Sequence, residues 1–190
     1  MPSYFEQSLA QLNIFEDSVA WMYLDSRSNV TVGVGLMLRN SAAASALPFV
    51  DSAGNPSSVA GIAIDFDRVA AMTPNMRPRY YLAPTSPHLT QTEIDARLTA
   101  FLQGVEAALR AGIPGYDALP DPAKMALLDM GYNLGTTKLL TTYPHLLAAI
   151  AAGDWTGAAA QSARGGIGAT RNAWTKNEFL AAADPAGPAT

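Results

Sequence analysis

Phe15-Glu16-Asp17-Ser18-Val19-Ala20-Trp21-Met22-Tyr23-Leu24-Asp25-Ser26-Arg27-Ser28-Asn29-Val30-Thr31-Val32-Gly33-Val34-Gly35 is the stretch on which the reading of this chain turns. Glu16 stands at the expected C-terminal end of a helix. Asp25 follows nine residues later, and Thr31, six further on, opens a Val/Gly strand. The partial negative charge of a helix C-terminus disfavours a second negative charge and so favours a protonated Glu16. Asp25 lies in the polar run Ser26-Arg27-Ser28-Asn29, where hydration keeps a carboxylate ionised. A proton donor, a base and a hydroxyl able to hold water are thus set at fixed spacing. Each has a plainer reading alone: a solvated helix glutamate, a turn aspartate bonded to its own backbone, a good strand threonine. The joint spacing carries the chemical reading. The turn between Asp25 and Thr31 has no glycine, so Asn29 is expected to take the left-handed conformation there.

Working outward, Ser3-x-x-Glu6 is a capping box, which makes Glu6 a structural cap. Phe5, Leu9, Leu12 and Phe15 then recur at helical spacing to about Glu16. Val30 to Leu38 reads as one short strand. Alanine, proline and serine dominate 41–60, Ile62 to Met72 fits a strand or a short helix, and Thr73 to Pro87 reads as loop. Arg77, Arg79, Tyr80 and Tyr81 in that loop either stack on sugars or solvate it. Thr90-x-x-Glu93 is a second capping box, and Ile94, Leu98, Phe101, Leu102, Val105 and Leu109 form one apolar stripe stopped by Gly112 and Pro114. One continuous helix over about 91–111 is expected. Asp121 as N-cap before Pro122 opens a helix ended by Gly135. Tyr143-Pro144 opens another ended by Gly153, Asp154 caps the Trp155 segment, Arg171 to Ala182 is the last amphipathic piece, and 184–190 is a loose tail. No internal repeat is read.

At 190 residues, 49% hydrophobic and 15% charged, the chain can build one substantial core or two small lobes. Zero cysteines exclude a disulfide framework and any thiolate metal site. His88 and His145 stand alone, without the spacing of a zinc site, and no metal or cofactor is expected. Gly33-Val34-Gly35 lacks the third glycine and following helix of a dinucleotide site, and no G-x-S-x-G occurs. A net charge of −4 leaves no basic stripe for nucleic acid. No N-terminal basic segment precedes an apolar run, and no apolar stretch is long enough to span a bilayer.

The pattern E-x8-D-x5-T, the apolar-Gly-apolar-Gly strand after it and Tyr23 two before the aspartate resemble the phage-type lysozymes, glycoside hydrolase family 24. The resemblance lapses across about 39–88. It resumes from Leu89-Thr90-Gln91-Thr92-Glu93 through Asp129-Met130-Gly131-Tyr132-Asn133-Leu134-Gly135, Tyr143-Pro144-His145-Leu146-Leu147, Trp155 and Arg171. It implies an α+β, mainly α, two-lobed lysozyme-like fold: a single domain over 1–190, with a small β element in an N-terminal catalytic lobe (1–88, carrying the divergent 39–88), a connecting helix at 89–112 and a helical lobe at 113–183. It casts Glu16 as general acid, Asp25 as the carboxylate that orients and activates water, and Thr31 as the hydroxyl sharing that water. It places Asp129 and Asn133 beside the cleft as substrate-binding residues. Their spacing alone fits a buried hydrogen-bond network equally well. Arg171, counted with them among the substrate-binding residues, matches an arginine that approaches the catalytic glutamate. Two positions depart from the family: Asp17 and Leu36 stand where many members have Gly and His.

The implied reaction is inverting hydrolysis of the β-1,4 bond between N-acetylmuramic acid and N-acetylglucosamine in peptidoglycan. A lytic transglycosylase, which needs chiefly one carboxyl, and a catalytically silent glycan-binding module are the alternatives. The expected partners are peptidoglycan glycan strands, plus an inhibitory immunity protein if the chain is an injected antibacterial effector rather than a phage endolysin. A monomer is expected, made in the cytoplasm and acting in the periplasm or on the cell wall after release or injection, without membrane insertion.

Overall fold

The computed structural model describes residues 2–16 and 18–184. Asp17 and, apart from Asp184, the expected tail lie outside the described residues. The chain divides into two compact units, one comprising Met1–Phe15 with Thr99–Thr190 and the other Glu16–Leu98. The architecture is mainly helical with one small antiparallel sheet, the α+β class expected.

In the Glu16–Leu98 unit, β1 (Val19–Leu24), β2 (Val30–Gly33) and β3 (Leu36–Met37) form a three-stranded antiparallel sheet in sequence order. Tyr23 faces Thr31 and Leu24 faces Val30, with an irregularity between Val19 and Tyr23. Thr31 and Val32 pair with Met37 and Leu36. The single strand expected over Val30 to Leu38 is therefore a hairpin. Gly33 and Gly35 adopt φ of 65° and 81°, a region that costs other residues energy, and the chain reverses between them. β1 is an unbroken apolar run rather than an alternating one, which is why its strand character was not legible beside a helix. Helices α2 (Ser41–Ser45) and α3 (Val59–Ala70) pack together over the sheet's buried side chains. The choice left open for Ile62 to Met72 resolves as helix, started by the Ser58 hydroxyl accepting from the Gly61 N–H at 3.1 Å. Met22, Val32, Phe49, Ile62, Val69, Tyr81 and Ile94 are among the buried side chains of this core. Burial of each such large apolar group contributes about 1.5–3 kcal/mol.

In the other unit, α1 (Tyr4–Phe15) opens with the expected capping box: Glu6 accepts from the Ser3 N–H at 2.7 Å and the Ser3 hydroxyl accepts from the Glu6 N–H at 3.3 Å. Helix α4 (Gln91–Gly112) is continuous, and its Thr90 hydroxyl accepts from the Glu93 N–H. The division between the units falls within it, after Leu98. Helix α5 (Asp121–Leu134) is buried from Ala123 to Gly131 and contacts α1, α6 (Thr136–Thr142) and α9 (Ala169–Ala181). Gly131 lets α5 approach α4 closely, because a Cβ there would lie 2.7 Å from a Val105 methyl group of α4. Pro120, not Asp121, occupies the N-cap of α5, and Asp121 is its first residue. Helix α6 was not expected; Gly135 both ends α5 and starts it. Helices α7 (Pro144–Ala151) and α8 (Trp155–Gln161) follow as read, the latter capped by the Asp154 carboxylate accepting from the Gly157 N–H at 2.8 Å.

Candidate active site

Glu16, Asp25 and Thr31 all fall in the Glu16–Leu98 unit. Glu16 is the half-buried residue that follows the last residue of α1. Asp25 and Thr31 flank the turn that joins β1 to β2, and the turn is built on Asp25. Its Oδ1 accepts from the N–H groups of Arg27 and Asn29, both at 2.8 Å, and its Oδ2 accepts from the Asn29 side-chain amide at 3.1 Å. The Asp25 N–H donates to the Asn29 carbonyl at 3.0 Å, and the Ser28 N–H donates to the Asp25 carbonyl. Ser28, at φ 63°, takes the left-handed position expected of Asn29. The reason is visible in the bonds: Asn29 must present its N–H and side-chain amide together to one carboxylate, and the residue before it supplies the reversal.

Partial burial pushes the Asp25 carboxyl up, but the donors from Asn29 and Arg27 outweigh it, and the pKa lies below the ordinary value. Asp25 is thus held ionised. Hydrogen bonds within the turn, rather than hydration alone, are responsible. Thr31 is 2% exposed, and its hydroxyl donates at 3.1 Å to the same Asn29 carbonyl that receives the Asp25 N–H. Asn29 therefore ties the carboxylate to the hydroxyl, a role its sequence position did not announce. Leu36, one of the two departures from the family pattern, is exposed on β3.

Asp129, Asn133 and Arg171 fall in the other unit. Asp129 is buried on α5. Its Oδ1 accepts from Arg171 Nε at 2.7 Å, and its Oδ2 accepts from the Thr175 hydroxyl at 2.7 Å and pairs with Arg164 Nη2 at 2.8 Å. The Arg164 side chain is wholly buried; it also donates to the Thr175 hydroxyl and to the Asn172 side-chain carbonyl. Arg171 lies over the rings of Phe15 and Tyr132, with its guanidinium carbon 5.2 and 5.7 Å from their centroids. Both oxygens of the Asp129 carboxylate are thus engaged by two guanidiniums and a hydroxyl in a buried hydrogen-bond network. Asn133, half-buried one turn on, is not part of that network. Arg164 was missed because a lone arginine between Ala163 and Gly165 carries no sequence signal of burial. Among the described residues no three His, Asp or Glu side chains converge as metal ligands, and no helix is long and apolar enough to cross a membrane.

No family model and no curated protein matches the chain. Among solved structures it is similar to an endolysin from Escherichia coli O157:H7 phage FAHEc1, at 20% sequence identity over 94% of this chain and 89% of that one, with a TM-score of 0.50. The fold is endolysin-like. The likeness at this identity concerns backbone architecture, so what individual side chains of this endolysin-like chain do rests on their own chemistry.

Proposed function

We propose that the chain is a peptidoglycan-degrading muramidase, with Glu16 as general acid, Asp25 as the carboxylate that orients and activates water, and Thr31 as the hydroxyl that shares that water. The observation that carries this reading is the coupling of an ionised Asp25 to the Thr31 hydroxyl through Asn29, in the unit that Glu16 opens. A carboxylate held by three donors is a weak base but a well-oriented one, suited to align a water and to take its proton as that water, bonding to the cationic anomeric carbon, becomes acidic. Glu16 then protonates the departing glycosidic oxygen, and the water adds to the anomeric carbon of N-acetylmuramic acid. Inversion requires the two carboxyls to stand roughly 6.5–9.5 Å apart so that the water fits. The endolysin-like fold supports action on the cell wall, by a phage endolysin or by an injected effector that an inhibitory partner would restrain.

A second reading, a silent glycan-binding module, draws on the same turn: the bonds to Asp25 also serve simply to close a hairpin. A zymogram on purified peptidoglycan separates the two. The enzyme reading expects clearing by the parent chain and at least about 100-fold slower lysis by folded Glu16→Gln, a loss on the scale of an acid–base group. Retention on peptidoglycan without clearing by the parent chain would establish the binding module instead.

A further inference from the structure

Residues 72–82 form a cationic, aromatic strap that the proposed chemistry does not use. No acidic residue occurs between Asp67 and Glu93, in a chain whose net charge is −4. The strap is pinned from beneath at several points. Trp21 Nε1 donates to the Pro78 carbonyl at 2.9 Å, the buried Tyr81 hydroxyl donates to the Thr73 carbonyl at 2.9 Å, and Arg68 Nη2 donates to the Tyr81 carbonyl at 2.7 Å. Pro78 and a short 3-10 turn over Pro78–Tyr81 stiffen it further. On this anchored backbone Arg77 and Arg79 are exposed, and neither pairs with an acidic side chain among the described residues. The Tyr80 ring, 46% exposed, stands edge-on to Tyr81 with ring centroids 5.4 Å apart.

From this we infer that the strap is a binding site for the acidic peptide carried by the muramic acid residues of the glycan, an inference that rests on the proposed function. Two unpaired guanidiniums offer bidentate donors to carboxylates, and a half-exposed tyrosine ring offers an apolar face to a sugar or peptide methyl. Pre-pinning lowers the ordering cost of binding. Position links the strap to the candidate site: the 3-10 turn packs on β1, whose Trp21 lies four residues before Asp25. That is about 13 Å along a strand. The strap therefore supplies preference for peptide-bearing over naked glycan, while the hairpin supplies the chemistry.

The test uses the full chain and two readouts. Binding is followed by the fluorescence of the tryptophans, of which Trp21 is bonded to the strap, during titration with N-acetylmuramoyl-L-alanyl-D-glutamate and with its uncharged diamide. Cleavage is followed on peptidoglycan and on glycan strands stripped of peptide by an amidase. The inference expects the acid to bind at least about tenfold more tightly than the diamide, in keeping with charge-assisted hydrogen bonds. It expects Arg77→Ala/Arg79→Ala to erase that difference. The same variant should lower kcat/KM on peptidoglycan by a comparable factor while leaving the rate on stripped strands unchanged. Equal affinity of the parent chain for acid and diamide, or equal loss on both polymers, overturns the inference. Acid-selective binding that the double variant abolishes, in a parent chain that cleaves neither polymer, upholds the strap and refutes the enzyme reading. Cleavage of both polymers with no acid preference does the reverse.

Discussion

Leu24-Asp25-Ser26-Arg27-Ser28-Asn29-Val30-Thr31 and Val50-Asp51-Ser52-Ala53-Gly54-Asn55-Pro56-Ser57 are two versions of one turn. Each closes an antiparallel pairing, Leu24 with Val30 and Val50 with Pro56. In each the aspartate Oδ1 accepts from the backbone N–H groups two and four residues on, at 2.8 Å in the first and 2.9 Å in the second. In each the third residue after the aspartate is left-handed, Ser28 at φ 63° and Gly54 at 84°. The hydrogen bonds that hold Asp25 ionised are therefore a property of the turn and do not by themselves mark a catalytic group. What differs is the setting. Asp25 is half-buried, Thr31 is buried, and Glu16 stands nine residues before the aspartate; Asp51 is exposed, and the corresponding place before it holds Ala42. The second turn has the carboxylate and a hydroxyl but no acid, which makes it an internal control for the first.

The largest expected difference between the turns is in turnover. Asp25→Asn should slow peptidoglycan lysis by at least about 100-fold, and Asp51→Asn, the same change in the second turn, by less than about twofold. Equal rates for the two variants would reduce both aspartates to turn closers. Stability should separate them more modestly. Removal of the part-buried amide in Asn29→Ala forfeits a 3.1 Å bond and should cost about 1 kcal/mol in urea unfolding. Asn55→Ala forfeits an exposed bond at 3.5 Å and should cost close to nothing.

Acid titration sharpens the same contrast. The hydrogen bonds of both turns depress the carboxyl pKa, for Asp25 against its burial and for Asp51 led by the Asn55 N–H. A carboxyl depressed on folding contributes stability that is fully present above its unfolded pKa of about 3.9 and is lost as the pH falls through the lower folded value. Unfolding midpoints should therefore fall below about pH 4, and Asp25→Asn should flatten that fall. The last contrast concerns the left-handed position. Ser28→Gly relieves a conformation unfavourable to serine but adds chain entropy, for a net gain of a few tenths of a kcal/mol. Gly54→Ala should lose about 1 kcal/mol by backbone strain alone, since a Cβ there meets nothing within 4 Å.

This pair of turns also shows what the sequence makes legible. Caps and stripes were readable because they act locally: Ser3 with Glu6, Thr90 with Glu93 and Asp154 with Gly157 hydrogen-bond as their spacing demands. The Asp25 to Thr31 spacing invites a chemical reading, but its recurrence at Asp51 to Ser57 is not legible, because only Asp, Ser and Asn are shared and the positive φ is met once by serine and once by glycine. The hairpin at Gly33 to Gly35 was hidden inside a stretch of strand-forming residues. The clamp of Arg164 and Arg171 on Asp129 joins residues 35 and 42 positions apart, and long-range pairing of that kind leaves no local pattern.

The central claim is that Glu16 donates a proton while Asp25 and Thr31 direct a water, and the released sugar reports on it directly. If water attacks in a single displacement, muropeptides digested in 18O-water carry one labelled oxygen on a reducing N-acetylmuramic acid, with the α anomer formed first from the β linkage. Mass spectrometry and NMR of the early digest read both. Predominantly 1,6-anhydro ends, lighter by one water and unlabelled, would contradict the water-directing roles of Asp25 and Thr31.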